Sequence, residues 1–303
     1  MSRRKRRGKE KSRKKLAYGV IAVTFILILL AYFFFHQSNP TSQPKAAIVD
    51  HLSRHELNQT FVQKSRTILK EAGFDVDYYG WEKLADVNYY KSLFKKSYDL
   101  FVLRVHSAVT IIHGEETVGL FTWERYSDYL ARTKYRDDVM YNRLVQAFFQ
   151  NETDVYFGIT HKFVEKYGEF QNTVIIMMGC NGLTYTSMAE AFVKKGAKVY
   201  ISWNELVGVD HSDRATVHLL QSLLLENRTI KEAVEEIGRD PTWNSSMGYY
   251  PSKAGGYGIL DIMGGLAGNH VEAIILRVKF WYSRVRALVI KARFSAFHIF
   301  LKQ

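Results

Sequence analysis

The chain has 303 residues, of which 47% are hydrophobic and 24% are charged, which excludes a disordered or fibrous protein. A single cysteine excludes an intrachain disulfide, so packing must stabilise the fold. The net charge of +12 is concentrated at the ends: residues 1–15 carry +9 and residues 271–303 carry +6, which leaves 16–270 with −3. This distribution disfavours a nucleic-acid partner, because a nucleic-acid-binding fold presents a basic face.

An uncharged stretch of twenty residues, 16–35, follows the basic segment 1–15. As a helix it would be about 30 Å long, which matches the hydrocarbon thickness of a bilayer. We interpret it as a permanent transmembrane helix rather than a signal peptide, because no Ala-x-Ala cleavage site follows it. The basic segment should remain cytoplasmic, so we predict a single-pass protein with the lipid bilayer as a partner and its main domain outside the cytoplasm.

Residues 36–45 contain two of the four prolines and are interpreted as a linker. In the domain that follows, 46–270, short apolar runs alternate with helical patterns. The predicted strands cover 46–50, 74–80, 99–106, 170–180 and 197–204, with a hairpin at 113–123. The predicted helices cover 54–72, 86–97, 126–149, 187–195, 211–226 and 230–238. This alternation predicts an α/β fold with a mainly parallel sheet covered by helices on both faces.

The C-terminal part of the chain has two further features. Residues 253–268 are rich in glycine and are predicted to form a surface loop, one that rims the site. Residues 271–303 combine a helical apolar stripe with regularly spaced cations, which indicates a basic amphipathic helix. Such a helix either lies on an anionic membrane surface or docks on the domain with solvated arginines, and the sequence favours neither.

Reactive side chains follow two of the predicted buried strands. The run FVLRV leads into His106 and Ser107, and the run TVIIMM leads into Gly179 and Cys180. The carboxyl ends of neighbouring parallel strands meet at one sheet edge, so imidazole and thiol would meet there if these strands are adjacent. Such a pair serves nucleophilic catalysis, although a lone cysteine at a strand end is more often a packing residue.

This pattern of an apolar block and His, then an apolar block and Gly-Cys, resembles the caspase, gingipain, legumain and separase cysteine peptidases. The resemblance implies a caspase-like fold in which Cys180 is the nucleophile and His106 the general acid/base. It also implies that backbone N–H groups of Ser107 and Cys180 form the oxyanion hole, and that no cofactor is needed. The family usually has Gly after the His, so His113, which precedes Gly114, is the rival base.

Charged residues near these strand ends are candidates for substrate recognition. Metacaspases place an acidic residue two positions before the Cys, where this chain has Met178. Glu205, Asp210 and Asp213 follow the strand at 197–204 and would attract a basic substrate side chain, although Asp210 and Asp213 equally suit a helix start. The spacing of the histidines predicts no metal site, and the glycines form no phosphate-binding loop.

The leading hypothesis is a membrane-anchored cysteine endopeptidase whose partner is a peptide or protein substrate. One alternative is a catalytically inactive caspase-like fold that serves as a surface binding or scaffold module, and another is a flavodoxin-like sensor domain. The sequence leaves the cleavage specificity and the oligomeric state open.

Overall fold

The computed structural model describes residues 43–80, 82, 86–148 and 153–264. The described residues from Pro44 onward belong to one compact unit. The predicted transmembrane helix at 16–35 and the predicted amphipathic helix at 271–303 lie outside the described residues. Among the helices that are described, none combines the length and the apolar character needed to cross a bilayer.

The described part contains ten strands and nine α-helices. In chain order the strands are β1 Lys45–Asp50, β2 Asp75–Tyr79, β3 Leu100–Arg104, β4 Ser107–Ile112, β5 Glu115–Arg125, β6 Leu144–Phe148, β7 Val155–Ile159, β8 Thr173–Met177, β9 Ala197–Trp203 and β10 Met247–Tyr250. The helices are α1 Gln59–Glu71, α2 Val87–Leu93, α3 Asp128–Arg132, α4 Arg136–Met140, α5 His161–Tyr167, α6 Ser187–Lys194, α7 Val209–Leu224, α8 Ile230–Glu235 and α9 Ile259–Gly264.

The larger sheet has six strands in the order β10-β9-β8-β3-β1-β2, and all its pairs are parallel except β10 with β9. Alternate residues of β1 pack into different cores: Ile48 contacts the core that includes α1 and α7, and Val49 the core that includes α2 and α6. All residues of β3 and β8 are buried, as their continuous apolar runs require in a sheet covered on both faces. The predicted α/β class with a mainly parallel sheet is confirmed.

A second, antiparallel sheet has the order β4-β5-β7-β6. Its β4–β5 hairpin confirms the predicted excursion at 113–123, but the hairpin already begins at Ser107. The prediction of one helix over 126–149 is wrong, because this segment forms two five-residue helices and then β6. Strand β6 pairs with β7 along its whole length, so partner strands override a weak helical pattern.

The prediction of a surface loop at 253–268 is wrong for the residues that the structure describes. Residues 252–256 form a short 3-10 helix and 259–264 form α9. Ala254, Ile259 and Ile262 are at most 3% exposed and belong to the core on the α7 side of the sheet. The glycine-rich segment therefore completes the core instead of forming a flexible rim.

Candidate active site at the ends of β3 and β8

Strands β3 and β8 are direct neighbours, so their carboxyl ends lie at the same sheet edge. They run parallel with Leu103 opposite Met177, and the backbone N–H of Met178 donates to the Leu103 carbonyl at 2.9 Å, which extends the pairing by one residue. Directly beyond this point, His106 and Cys180 line one small cavity of about 20 Å³. The structure thus brings the predicted imidazole and the predicted thiol together.

Gly179 allows the two chain segments to approach each other this closely. A Cβ at this position would lie 2.3 Å from Ser107 Oγ and 2.7 Å from the Val105 carbonyl oxygen, closer than any real side chain allows. In its absence, the Ser107 hydroxyl donates to the Cys180 carbonyl at 2.5 Å. The glycine before the cysteine therefore has a packing reason in this fold.

The chain turns sharply after Cys180. Asn181 has φ of 58°, in the left-handed region that asparagine tolerates better than most residues. Its backbone N–H donates to the Glu205 carbonyl at 2.9 Å, and the Leu183 N–H donates to the Trp203 carbonyl at 2.8 Å. The loop that carries the thiol is therefore held by the segment that follows β9.

The thiol of Cys180 is half-buried and protonated at neutral pH. Burial raises the pKa of the Cys180 thiol above its usual range, and hydrogen bonding from the backbone offsets only part of this effect. The S–H group donates to the Val207 carbonyl, with 3.7 Å between sulfur and oxygen. The nucleophile therefore rests as a neutral thiol that the β9–α7 loop partly covers.

The imidazole of His106 is also neutral. Burial lowers the pKa of His106 to about 4, and the nearby charges of His55 and Arg104 act in the same direction. Its ring lies edge-on to Phe121, with 6.1 Å between centroids. A neutral imidazole is the form that can accept a proton, and the low pKa makes His106 a weak base in the resting structure.

The backbone N–H of Ser107 points away from the neighbouring strand β5. Phe121 donates to the His106 carbonyl at 2.9 Å, which makes His106 and Phe121 a hydrogen-bonded pair of the antiparallel ladder. Such pairs alternate with non-hydrogen-bonded ones, so Ser107, opposite Leu120, falls at a non-hydrogen-bonded position. Its N–H is thus free of the ladder, as a role in an oxyanion hole requires.

The rival imidazole lies elsewhere. His113 occupies the turn between β4 and β5, with φ of 52°, and its Nε2 lies 2.7 Å from Nδ2 of Asn142. It lines a separate cavity of about 370 Å³, whose walls include neither His106 nor Cys180. The structure therefore brings His106, and not His113, to the cysteine.

Asp213 does not offer a free carboxylate to a substrate, contrary to the sequence-based interpretation. It is 2% exposed and accepts hydrogen bonds from Arg104 Nε at 2.7 Å and Nη2 at 2.8 Å, and from Asn58 Nδ2 at 2.8 Å. Arg104 is itself fully buried and also pairs with Asp50 at 2.7 Å. Asp50, Arg104 and Asp213 form a buried ion cluster to which Asn58 donates, and these hydrogen bonds use both oxygens of Asp213.

The other two predicted recognition residues lie outside the cavity wall. Glu205 is exposed, and its backbone carbonyl holds the N–H of Asn181. Asp210 is exposed in the first turn of α7, where a carboxylate favours the helix N-terminus. Neither side chain lines the cavity next to Cys180.

Two structural contributors to the site were not predicted. The sequence could have indicated Arg104, because it is the one charged residue in the apolar run of β3. No sequence pattern indicated Asp240. Its carboxylate accepts from the Gly208 N–H at 2.9 Å and from the backbone N–H groups of Thr242 and Trp243, and these hydrogen bonds fix the loop over the thiol.

No group of three His, Cys, Asp or Glu residues within the described ranges has an arrangement that would hold a metal ion. The chain matches no protein-family model and no curated protein sequence.

Proposed function

We propose that the protein is a cysteine endopeptidase of caspase-like fold. The observation that carries this proposal is that His106 and Cys180 follow adjacent parallel strands and line the same cavity. The resemblance of the His and Gly-Cys motifs to caspase- and gingipain-like peptidases supports it. The same sheet edge also carries the Ser107 N–H at a non-hydrogen-bonded position, as a donor to an oxyanion.

The proposed reaction begins from a neutral thiol and a neutral imidazole. As the peptide carbonyl approaches, the thiol proton of Cys180 passes to His106 while the sulfur attacks the carbonyl carbon. Backbone N–H groups of Ser107 and Cys180 stabilise the resulting oxyanion. The C–N bond then breaks, the amine leaves with the proton from His106, and water hydrolyses the thioester to regenerate the thiol and release the acid.

We also propose that residues 16–35 anchor the protein in a membrane with the catalytic domain on the non-cytoplasmic side. The uncharged length of this stretch and the +9 charge of residues 1–15 support this topology. Protease added to intact cells should digest the domain and leave an N-terminal fragment protected. Resistance of the domain until the cells are lysed would contradict this orientation.

The activity is tested with full-length protein in detergent and a peptide library whose products are read by mass spectrometry. Cleavage should be lost in Cys180→Ala and fall by about 100-fold or more in His106→Ala, since that is the usual contribution of a positioned acid/base. His113→Ala, the matched control, should stay within about twofold of the wild type on the same scale. Unchanged cleavage by Cys180→Ala would refute the proposal.

A second candidate function is a binding or scaffold module with an inactive site. The half-buried thiol favours it, because burial raises the pKa of Cys180 and the S–H group donates to the Val207 carbonyl, so the resting form is the protonated one. Under this alternative, Cys180 would not react with peptide-based thiol-directed inhibitors, whereas the peptidase proposal requires that it does.

A further inference from the structure

The cavity beside Cys180 is suited to select the substrate. This inference rests on the proposed peptidase function. We propose that the residue contributing the scissile carbonyl, called here the acyl-side residue, has a small, uncharged side chain such as that of alanine, or is glycine. This differs from the basic specificity that the acidic residues after β9 first indicated.

The geometry of attack directs the acyl-side residue to this cavity. The attacked carbon must come within about 3.5 Å of the sulfur before reaction. The Cβ of the same residue is about 2.5 Å from that carbon, given backbone bond lengths. Its side chain therefore enters the depression that adjoins the thiol. The two larger cavities, of about 290 and 370 Å³, are lined by neither Cys180 nor His106.

The size of the cavity sets an upper limit on this side chain. Its volume is about 20 Å³, enough for one water molecule and thus for a group with one heavy atom, such as a methyl group. The walls are mainly apolar. Leu52, Val105, Met178 and Val207 are buried and follow β1, β3, β8 and β9, and Val209 is a half-buried residue at the start of α7. A longer side chain would have to displace packed core residues, which carries a cost in any well-packed interior.

The polar groups of the wall are already paired. The Ser212 hydroxyl donates to the Met178 carbonyl at 3.0 Å and accepts from the Trp203 indole N–H at 3.1 Å. Both carboxylate oxygens of Asp213 are taken by Arg104 and Asn58, so no carboxylate in the described wall is free for a lysine or arginine.

An acidic side chain in this cavity would also find no partner of opposite charge among the described residues. Arg104 has no accessible surface and is enclosed between Asp50 and Asp213. A basic acyl-side residue would meet only the carboxylate of Asp213, whose oxygens already accept from Arg104 and Asn58, and an acidic one would meet no accessible cation. Burying a charge that lacks its own partner is strongly unfavourable.

The test uses full-length protein and four fluorogenic peptides that differ only at the acyl-side residue: alanine, leucine, lysine and aspartate. We expect kcat/KM for the alanine peptide to exceed that for the lysine and aspartate peptides at least 100-fold, and that for the leucine peptide at least 10-fold. Fastest cleavage after lysine, aspartate or leucine would overturn the proposal and leave the peptidase function standing.

A variant that enlarges the cavity gives an independent test. Leu52→Ala removes a wall side chain that is 7% exposed, while the control Leu57→Ala changes a side chain in the same segment that is 58% exposed. The ratio of leucine to alanine cleavage should rise at least 10-fold in Leu52→Ala and stay unchanged in the control. Near-ultraviolet circular dichroism checks that the variant is folded, and an unchanged ratio, or loss of alanine cleavage in a variant with the wild-type spectrum, would overturn the assignment of this wall.

The failure of the proposed function has a different signature. In that case none of the four peptides is cleaved, and an alanine-ended peptide with a thiol-directed warhead leaves Cys180 unlabelled while a small alkylating reagent still labels it after denaturation. Labelling of native Cys180 by the alanine-ended probe at least 10-fold faster than by its lysine-ended counterpart would support both the function and the specificity.

Discussion

Replacing Asp213 by asparagine distinguishes a structural carboxylate from a substrate-binding one. The side chain accepts two hydrogen bonds from the fully buried Arg104 and one from Asn58. An amide keeps the shape but has a single acceptor oxygen, so its NH2 group would face a guanidinium donor. Breaking a buried ion pair by changing one partner costs about 3–5 kcal/mol, and the lower end of this range applies here because Asp50 still pairs with Arg104. In a domain of this size that lowers the melting temperature by about 10 °C.

Thermal unfolding of full-length protein in detergent, followed by near-ultraviolet circular dichroism, measures this effect. Asp210→Asn is the matched control, since Asp210 is exposed one turn earlier on the same helix, and it should cost less than about 1 kcal/mol. A melting temperature of Asp213→Asn close to that of the wild type, combined with selective loss of cleavage after lysine or arginine, would refute the reasoning and restore Asp213 as a recognition residue.

Three further predictions concern the site and its surroundings. Burial lowers the pKa of His51 to about 3, so the folded state loses stability as pH falls below 6.5. Between pH 7 and pH 5 the free energy of unfolding should fall by about 2 kcal/mol more in the wild type than in His51→Phe. The same pH dependence of this free energy in both proteins would contradict the prediction. Alkylation of Cys180 by iodoacetamide should accelerate nearly tenfold per pH unit from pH 6 to 8, whereas a plateau below pH 7 would reveal a preformed thiolate. Gly179→Ala places a Cβ 2.7 Å from the Val105 carbonyl oxygen and should lower the free energy of unfolding in urea by about 1–3 kcal/mol. Gly238→Ala, whose Cβ would have no close neighbour within 4 Å, should change it very little. Equal urea midpoints for the two variants would contradict the contact at Gly179.

The central strands could be predicted from the sequence because their residues are almost all apolar and must therefore be buried. The continuous apolar runs of β1, β3 and β8 must be covered on both faces, which implies a parallel sheet between two helical layers. The strands β6 and β7 escaped prediction because their short, mixed segments are stabilised by each other, and a pairing partner cannot be read from local pattern. The burial of α9 could not be predicted from the sequence either. A glycine-rich composition indicates backbone freedom, but it does not show how the few apolar residues between the glycines pack.

The same division holds for the candidate site. The sequence alone placed His106 and Cys180 at the carboxyl ends of buried strands, because a polar residue after an apolar run marks where a strand leaves the core. Only the tertiary structure made β3 and β8 neighbours, since strand order depends on how helices pack across the sheet. Only the tertiary structure separated His113 from the cysteine and paired Asp213 with Arg104 across 109 positions of the chain. Charge–charge contact is a property of distance in space, and it therefore decided which of the acidic residues remained free to meet a substrate.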